Sequence, residues 1–250
     1  MKPAVFVLAA AAVAAAPLAR QPQPGAADAR VLYVTHSAGF KHDVVPESEK
    51  VLADLGRRQG FAVTVERDAS RITAETLRPY GAVVFYTTGE LPWSEQQKAA
   101  FMAWLRSGRG FVGVHSATDT FYEWPEYGRM IGGYFDEHPW HEEVTLEVED
   151  GTFPATRHLG PTWTLTDEIY QFRNYSRANT HVLLSLDTPS VDLTRKGVKR
   201  TDGDFAIAWH HPWGEGRVFY TALGHRSEVW QSDAFQRHLA GGLQWALGGN

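Results

Sequence analysis

The sequence predicts one α/β domain, a mostly parallel sheet with helices on both faces that continues into a β-rich C-terminal half. Three observations predict it. Short apolar, β-branched runs alternate with helical stretches through the first half. The second half carries strand-like pieces with few helices between them. A chain of 250 residues, 43% apolar and 12% aromatic, is large enough to bury one sizeable core.

Val31 to Thr35 reads as the first strand, and the stretch after Pro46 (ESEKVLADLGRRQ) as the helix that leads to a second strand, Ala62 to Glu66. Ala82 to Tyr86 is the third strand. Ser94 and Gln97 have the spacing of a capping box for a helix over Glu95 to Arg106, and Phe111 to Val114 is the fourth strand. Such alternation favours parallel strands joined by right-handed crossovers. From Glu143 onward the pattern changes: Val144–Val148, Val182–Leu186, Phe205–Trp209 and Val218–Thr221 read as strands before a closing helix over 234–247. An antiparallel extension of the sheet or a β-rich insertion would give this pattern.

The N-terminus reads as a separate segment. Lys2 precedes an apolar, Ala-rich run with small residues at Ala14, Ala16 and Ala19, which marks residues 1–19 as a secretory leader. The run is shorter than the ~20 apolar residues a bilayer span needs, so a permanent membrane anchor is not expected. Residues 20–29, rich in Pro and Ala, read as a disordered linker, and 30–249 as the domain of an exported protein, periplasmic or secreted. With 24 basic and 29 acidic residues the formal charge is −5, and no basic stripe is present, which argues against a nucleic-acid partner. Cysteine is absent, which excludes a disulfide scaffold, a thiolate metal site and a cysteine nucleophile.

In open parallel sheets, ligands bind beyond the carboxyl ends of the strands. Three predicted strands end there in histidine. The first runs into His36, with His42 and Asp43 close behind; the fourth into His115, followed by Ser116 and Asp119; Val218–Thr221 into His225. Satisfying loop backbone is the ordinary role of a lone histidine, but three at one sheet edge point to a site. Gly113 and Ala117 flank His115 as small residues flank the nucleophile of a strand–turn–helix elbow. Imidazole at that position suits proton transfer or metal ligation. Ser116 invites a serine-triad reading, although sequence neighbours at such a turn point in different directions.

His138 and His141, with Glu142, form a second polar group. Pro139 argues against a helical H-x-x-H metal face, and a loop held by Trp140 is the alternative. Glu168 and Tyr170 are placed to share a cleft, the alternative being a salt-bridged structural carboxylate. Of the nine tryptophans, Trp104 and Trp245 sit in apolar helical stripes; Trp93, Trp140 and Trp230, in polar stretches, are candidates for stacking on sugar faces.

Taken together, these motifs resemble the ThuA-like family, named for trehalose utilisation, which shares the fold of class I glutamine amidotransferases. The resemblance runs through His36, Gly39 and His42, the elbow Gly113–Asp119, Gly132-Gly133 and His138-Pro139. It continues through Asp167-Glu168-Ile169-Tyr170, Pro212-Trp213-Gly214, Gly216-Arg217-Val218 and Leu223-Gly224-His225, to Trp245-Ala246. It implies a flavodoxin-like sheet with its cleft at His115 and a role in processing disaccharides or their oxidised (3-keto) derivatives. Glutaminase activity is not implied, because His115 stands where that chemistry needs cysteine.

The expected function is therefore a carbohydrate enzyme acting on a small-molecule sugar by hydrolysis, elimination or isomerisation. His115, His36, His225, Asp119 and Glu168 are its candidate catalytic groups. His42, Ser116, Trp140, Tyr170 and Trp230 are its candidate substrate contacts. A divalent metal ion on His36, His115 and His225 is the alternative to proton transfer by those rings. A non-catalytic sugar-binding module and, more weakly, a serine esterase are the competing functions.

Overall fold

A computed structural model describes residues 29–249. The expected leader, and the expected linker up to residue 28, lie outside the described residues. Ala29, placed in the linker by sequence, belongs to the fold: it is buried, and its carbonyl accepts a hydrogen bond from the Ala62 amide.

Nine strands form one sheet in the order β2-β1-β3-β4-β9-β8-β7-β5-β6. The strands are β1 (Arg30–Val34), β2 (Ala62–Glu66), β3 (Ala82–Phe85), β4 (Gly110–Val114), β5 (Tyr134–Val148), β6 (Thr162–Arg173), β7 (His181–Leu186), β8 (Ala206–Trp213) and β9 (Gly216–Thr221). Pairing is parallel from β2 across to β9 and antiparallel from β9 across to β6. The change from alternating elements to consecutive strands is thus an antiparallel extension of one sheet, with β9 as the shared strand.

The helices are α1 (Val45–Gln59), α2 (Ala74–Leu77), α3 (Glu95–Arg106), α4 (Pro125–Ile131), α5 (Ser227–Gln231) and α6 (Asp233–Ala246). At α3 the capping box forms as its spacing predicts: Ser94 Oγ accepts from the Gln97 amide, and Gln97 Oε1 accepts from the Ser94 amide. Pro46 in the first turn and Gly60, in the left-handed conformation, bound α1. Strand alternation sorts the helices onto two faces. Phe111 of β4 packs on Phe101 of α3 and Tyr127 of α4, whereas its neighbour Gly110 lies under α6, where a Cβ would come within 2.5 Å of the Ala246 carbonyl. Among the described residues no helix is long and apolar enough to cross a membrane.

Two strands depart from the sequence reading. β5 begins ten residues before Val144, at Tyr134, and β6 is a strand that the apolar pattern of the sequence does not mark. The start of β5 is polar and contains Pro139, and two register shifts, Phe135/Glu137 and Glu137/Trp140, interrupt its alternation against β6. Those irregularities hid the strand and also shape the site.

Candidate functional site

β4 ends at an elbow. His115 has φ +46°, a left-handed conformation that costs a non-glycine residue about 1–3 kcal/mol. It opens the 3₁₀ turn His115–Thr118. The Tyr220 hydroxyl donates to the His115 carbonyl (2.7 Å), which holds the strained backbone in place. The ring is fully buried, and its Nδ1 lies 2.7 Å from the Ala222 carbonyl. A carbonyl only accepts, so Nδ1 carries the proton and Nε2 presents its lone pair.

Three groups converge on that Nε2: the Tyr170 hydroxyl (3.0 Å), Glu168 Oε2 (3.1 Å) and His225 Nδ1 (3.3 Å). Glu168 Oε2 is also 3.1 Å from His225 Nδ1. His42 completes the group, its ring centroid 5.0 Å from that of His115 and 5.3 Å from that of His225. One ligand atom each from His42, His115, Glu168 and His225 lies within 4.8 Å of the others.

The electrostatics divide these groups. Burial, reinforced by His115 and His225, pushes His42 down to about 3, so it stays a neutral imidazole. Burial alone would raise the Glu168 carboxyl, but the neighbouring His115 and His225 outweigh it and hold the group well below the usual carboxylate range. The hydrogen bond to Glu168 raises His225 against the opposing effect of its burial.

Each member is held from behind. His225 sits in a loop whose Gly224 and Arg226 amides donate to Asp167 Oδ2 (2.7 Å) and Oδ1 (3.1 Å). Gly224, at φ +116°, also accepts at its carbonyl from the Tyr86 hydroxyl (2.9 Å) and the Trp230 indole (2.8 Å). Glu168 and Tyr170, two apart on β6, share the face toward His115. Across from them on β5, the register shift between Glu137 and Trp140 adds one residue, so His138 and His141 reach the same carboxylate despite a spacing that opposes them in a regular strand. His141 Nε2 is 2.6 Å from Glu168 Oε1 and 3.2 Å from His138 Nδ1. Pro139 rules out a helical pair but not this one.

Several expected residues lie elsewhere. His36 does not join the group; its Nδ1 accepts from the Ala69 amide (3.2 Å), the ordinary loop-satisfying role, and His42 takes its place beside His115 and His225. Trp140 and Trp230 are fully buried, and Trp93 nearly so, each with its indole N–H on a backbone carbonyl (Asp192, Gly224 and Ala69), so they are core rather than sugar platforms. Trp104 and Trp245 pack against the core as their spacing indicated. Ser116 is buried and its hydroxyl has no hydrogen-bond partner among the described residues, so no base addresses it as a triad requires. Asp119 accepts from the Tyr122 hydroxyl (2.6 Å) and, with its carboxyl raised by burial, stands behind the elbow rather than on the histidines.

Sequence reasoning missed Asp167 and Tyr86, whose roles depend on loop backbone. An alternation of threonine with Trp163 and Leu165 was the available sign that this region is strand β6. His42 and His225 border an open pocket of about 360 Å³, together with Phe40, Asp43 and Glu228, and Phe40 is 65% exposed.

The fold is shared with solved structures. A ThuA-like protein from Bacteroides uniformis superposes with a TM-score of 0.74 at 24% identity, covering 92% of this chain and 95% of that one. A ThuA-like protein from Parabacteroides merdae gives 0.68 at 20% identity, covering 88% and 90%. A cytoplasmic protein from Salmonella typhimurium gives 0.60 at 12%, covering 87% and 99%. At these identities the likeness establishes the fold, that of the class I glutamine amidotransferases. No curated protein matches the chain. The family model for trehalose utilisation, ThuA, matches residues 30–246, nearly the whole described domain. The chain belongs to the ThuA family, and with it to proteins of carbohydrate, specifically trehalose, utilisation.

Proposed function

We propose that this protein is an exported, metal-dependent enzyme that processes a disaccharide or its oxidised (3-keto) derivative, with His42, His115, His225 and Glu168 holding one divalent ion. The observation that carries the reading is the convergence of three imidazoles and one carboxylate within a few ångströms of one another, beside an open pocket that His42 and His225 border. Two nitrogens about 2.1 Å from one ion, 90–109° apart, are themselves about 3.0–3.4 Å apart. The 3.3 Å between His115 Nε2 and His225 Nδ1 fits that spacing. Protons fit less well, because His115 Nε2 and Glu168 Oε2 are both acceptors when the ring is neutral.

The chain's own groups prepare the site. The Ala222 carbonyl fixes the His115 tautomer, the Asp167 carboxylate fixes the His225 loop, and burial keeps His42 neutral and available. Phe40 offers a ring face to the sugar, and Asp43 and Glu228 offer acceptors to its hydroxyls at the pocket rim. When bound, a divalent ion would polarise a sugar carbonyl and acidify the adjoining C–H, which suits hydrolysis, elimination or isomerisation without a glycosidase's paired acids. The leader-like sequence of residues 1–19 supports the reading of action outside the cytoplasm.

The test is to challenge the mature chain, purified without chelators, with disaccharides and their 3-keto forms. Turnover of at least one that a chelator abolishes, and that falls roughly 10³-fold in His115→Ala, is the expected result. Sugar binding without product would make the protein a binding module, and turnover indifferent to His115→Ala would overturn the site assignment.

A further inference from the structure

We propose that Glu168 bridges two metal ions, the second held on its other oxygen by His138 and His141. This rests on the reading above, in which the His115 centre holds the first ion. The carboxylate is 5% exposed and its oxygens face opposite histidine groups. Oε2 lies 3.1 Å from both His115 Nε2 and His225 Nδ1, while Oε1 lies 2.6 Å from His141 Nε2 and 3.7 Å from His138 Nδ1. His138, His141 and Glu168 place one ligand atom each within 4.8 Å of the others.

The 2.6 Å contact of His141 Nε2 with Glu168 Oε1 is accounted for by a charge-assisted hydrogen bond, but such a bond leaves the approach of His138 unexplained. Both short contacts, to Glu168 Oε1 and to His138 Nδ1, end on the one atom His141 Nε2. One N–H proton points well at only one of them. The 3.2 Å between the two imidazole nitrogens falls in the about 3.0–3.4 Å expected of neighbouring ligands on a shared ion.

The second group also has the character of an open coordination site. His138 and His141 are 43% and 44% exposed, in contrast to the buried His115, so an ion there keeps positions for solvent or sugar oxygens. Their orientation is supported: Phe135 stacks on His138 (5.6 Å, 20°), and His141 meets His225 edge-on (5.5 Å). A carboxylate shared between ions about 3.5–4 Å apart is the usual bridge of two-metal hydrolytic and transfer sites. The β5 register shift, which turns both rings toward one oxygen, thereby gains a chemical purpose.

Zinc titrated calorimetrically into the full, metal-stripped chain tests this. The wild type should take up about two equivalents and the double variant His138→Ala/His141→Ala about one, while His115→Ala should keep the equivalent that the double variant loses. Circular dichroism confirms that each variant folds. About one equivalent in the wild type, unchanged in the double variant, would overturn the second site and leave the His115 centre standing. A wild-type uptake of only about one equivalent, lost in the double variant but kept in His115→Ala, would remove the first centre, and with it the bridge. No zinc uptake at all would overturn both.

Discussion

The parallel half of the sheet and its antiparallel extension supply the same site in different ways. The parallel half delivers His42 and His115 from loops and turns just past strand ends, and shared β9 leads into His225. The antiparallel half delivers Glu168, Tyr170, His138 and His141 from within β5 and β6. A loop residue is aimed by its turn, such as the left-handed His115 elbow; a strand residue is aimed by register, and one added residue in β5 redirects two imidazoles. The difference teaches that one site is aimed by turn geometry on one side and by strand register on the other.

Behind the ligands themselves, the largest effect on this division should come from Asp167, the link by which β6 fixes the loop after β9. Asp167→Ala leaves the Gly224 and Arg226 amides without their acceptor, each at a cost of about 1–3 kcal/mol. Turnover of the accepted sugar should drop about 10–100-fold, as it does when groups behind metal ligands are removed, with kcat falling more than KM changes. A lowered melting temperature with kcat intact would make Asp167 purely structural. The smallest effect should come from His36. It ends β1 as His115 ends β4, but its ring serves the Ala69 amide, so His36→Ala should alter turnover less than about threefold. A loss comparable to that of His115→Ala would extend the centre into the first loop.

The same division explains what the sequence makes legible. Buried parallel strands are continuous apolar runs, so β1, β3 and β4 could be read directly, and with them the loops that carry His42 and His115. His36 has the same placement in sequence, but its ring accepts from the Ala69 amide instead of joining the other histidines. Glu168 was legible as a polar residue beside Tyr170, but its two oxygens meet four histidine nitrogens only through the pairing of β5 with β6. Trp140 and Trp230 misled because their polar neighbours in sequence face away from the core that the indoles occupy. Local polarity in a bulged strand does not report which way a side chain points.

The central claim is that the two halves form one chemical unit at His115 and Glu168. A double-mutant cycle tests it directly, with turnover and zinc affinity measured for wild type, His115→Ala, Glu168→Gln and the pair. If both residues serve one ion, each single change removes most of the activity and the double variant is no worse than the more damaging single. Losses that multiply in the double variant would mean that the two residues act independently, and would contradict the account.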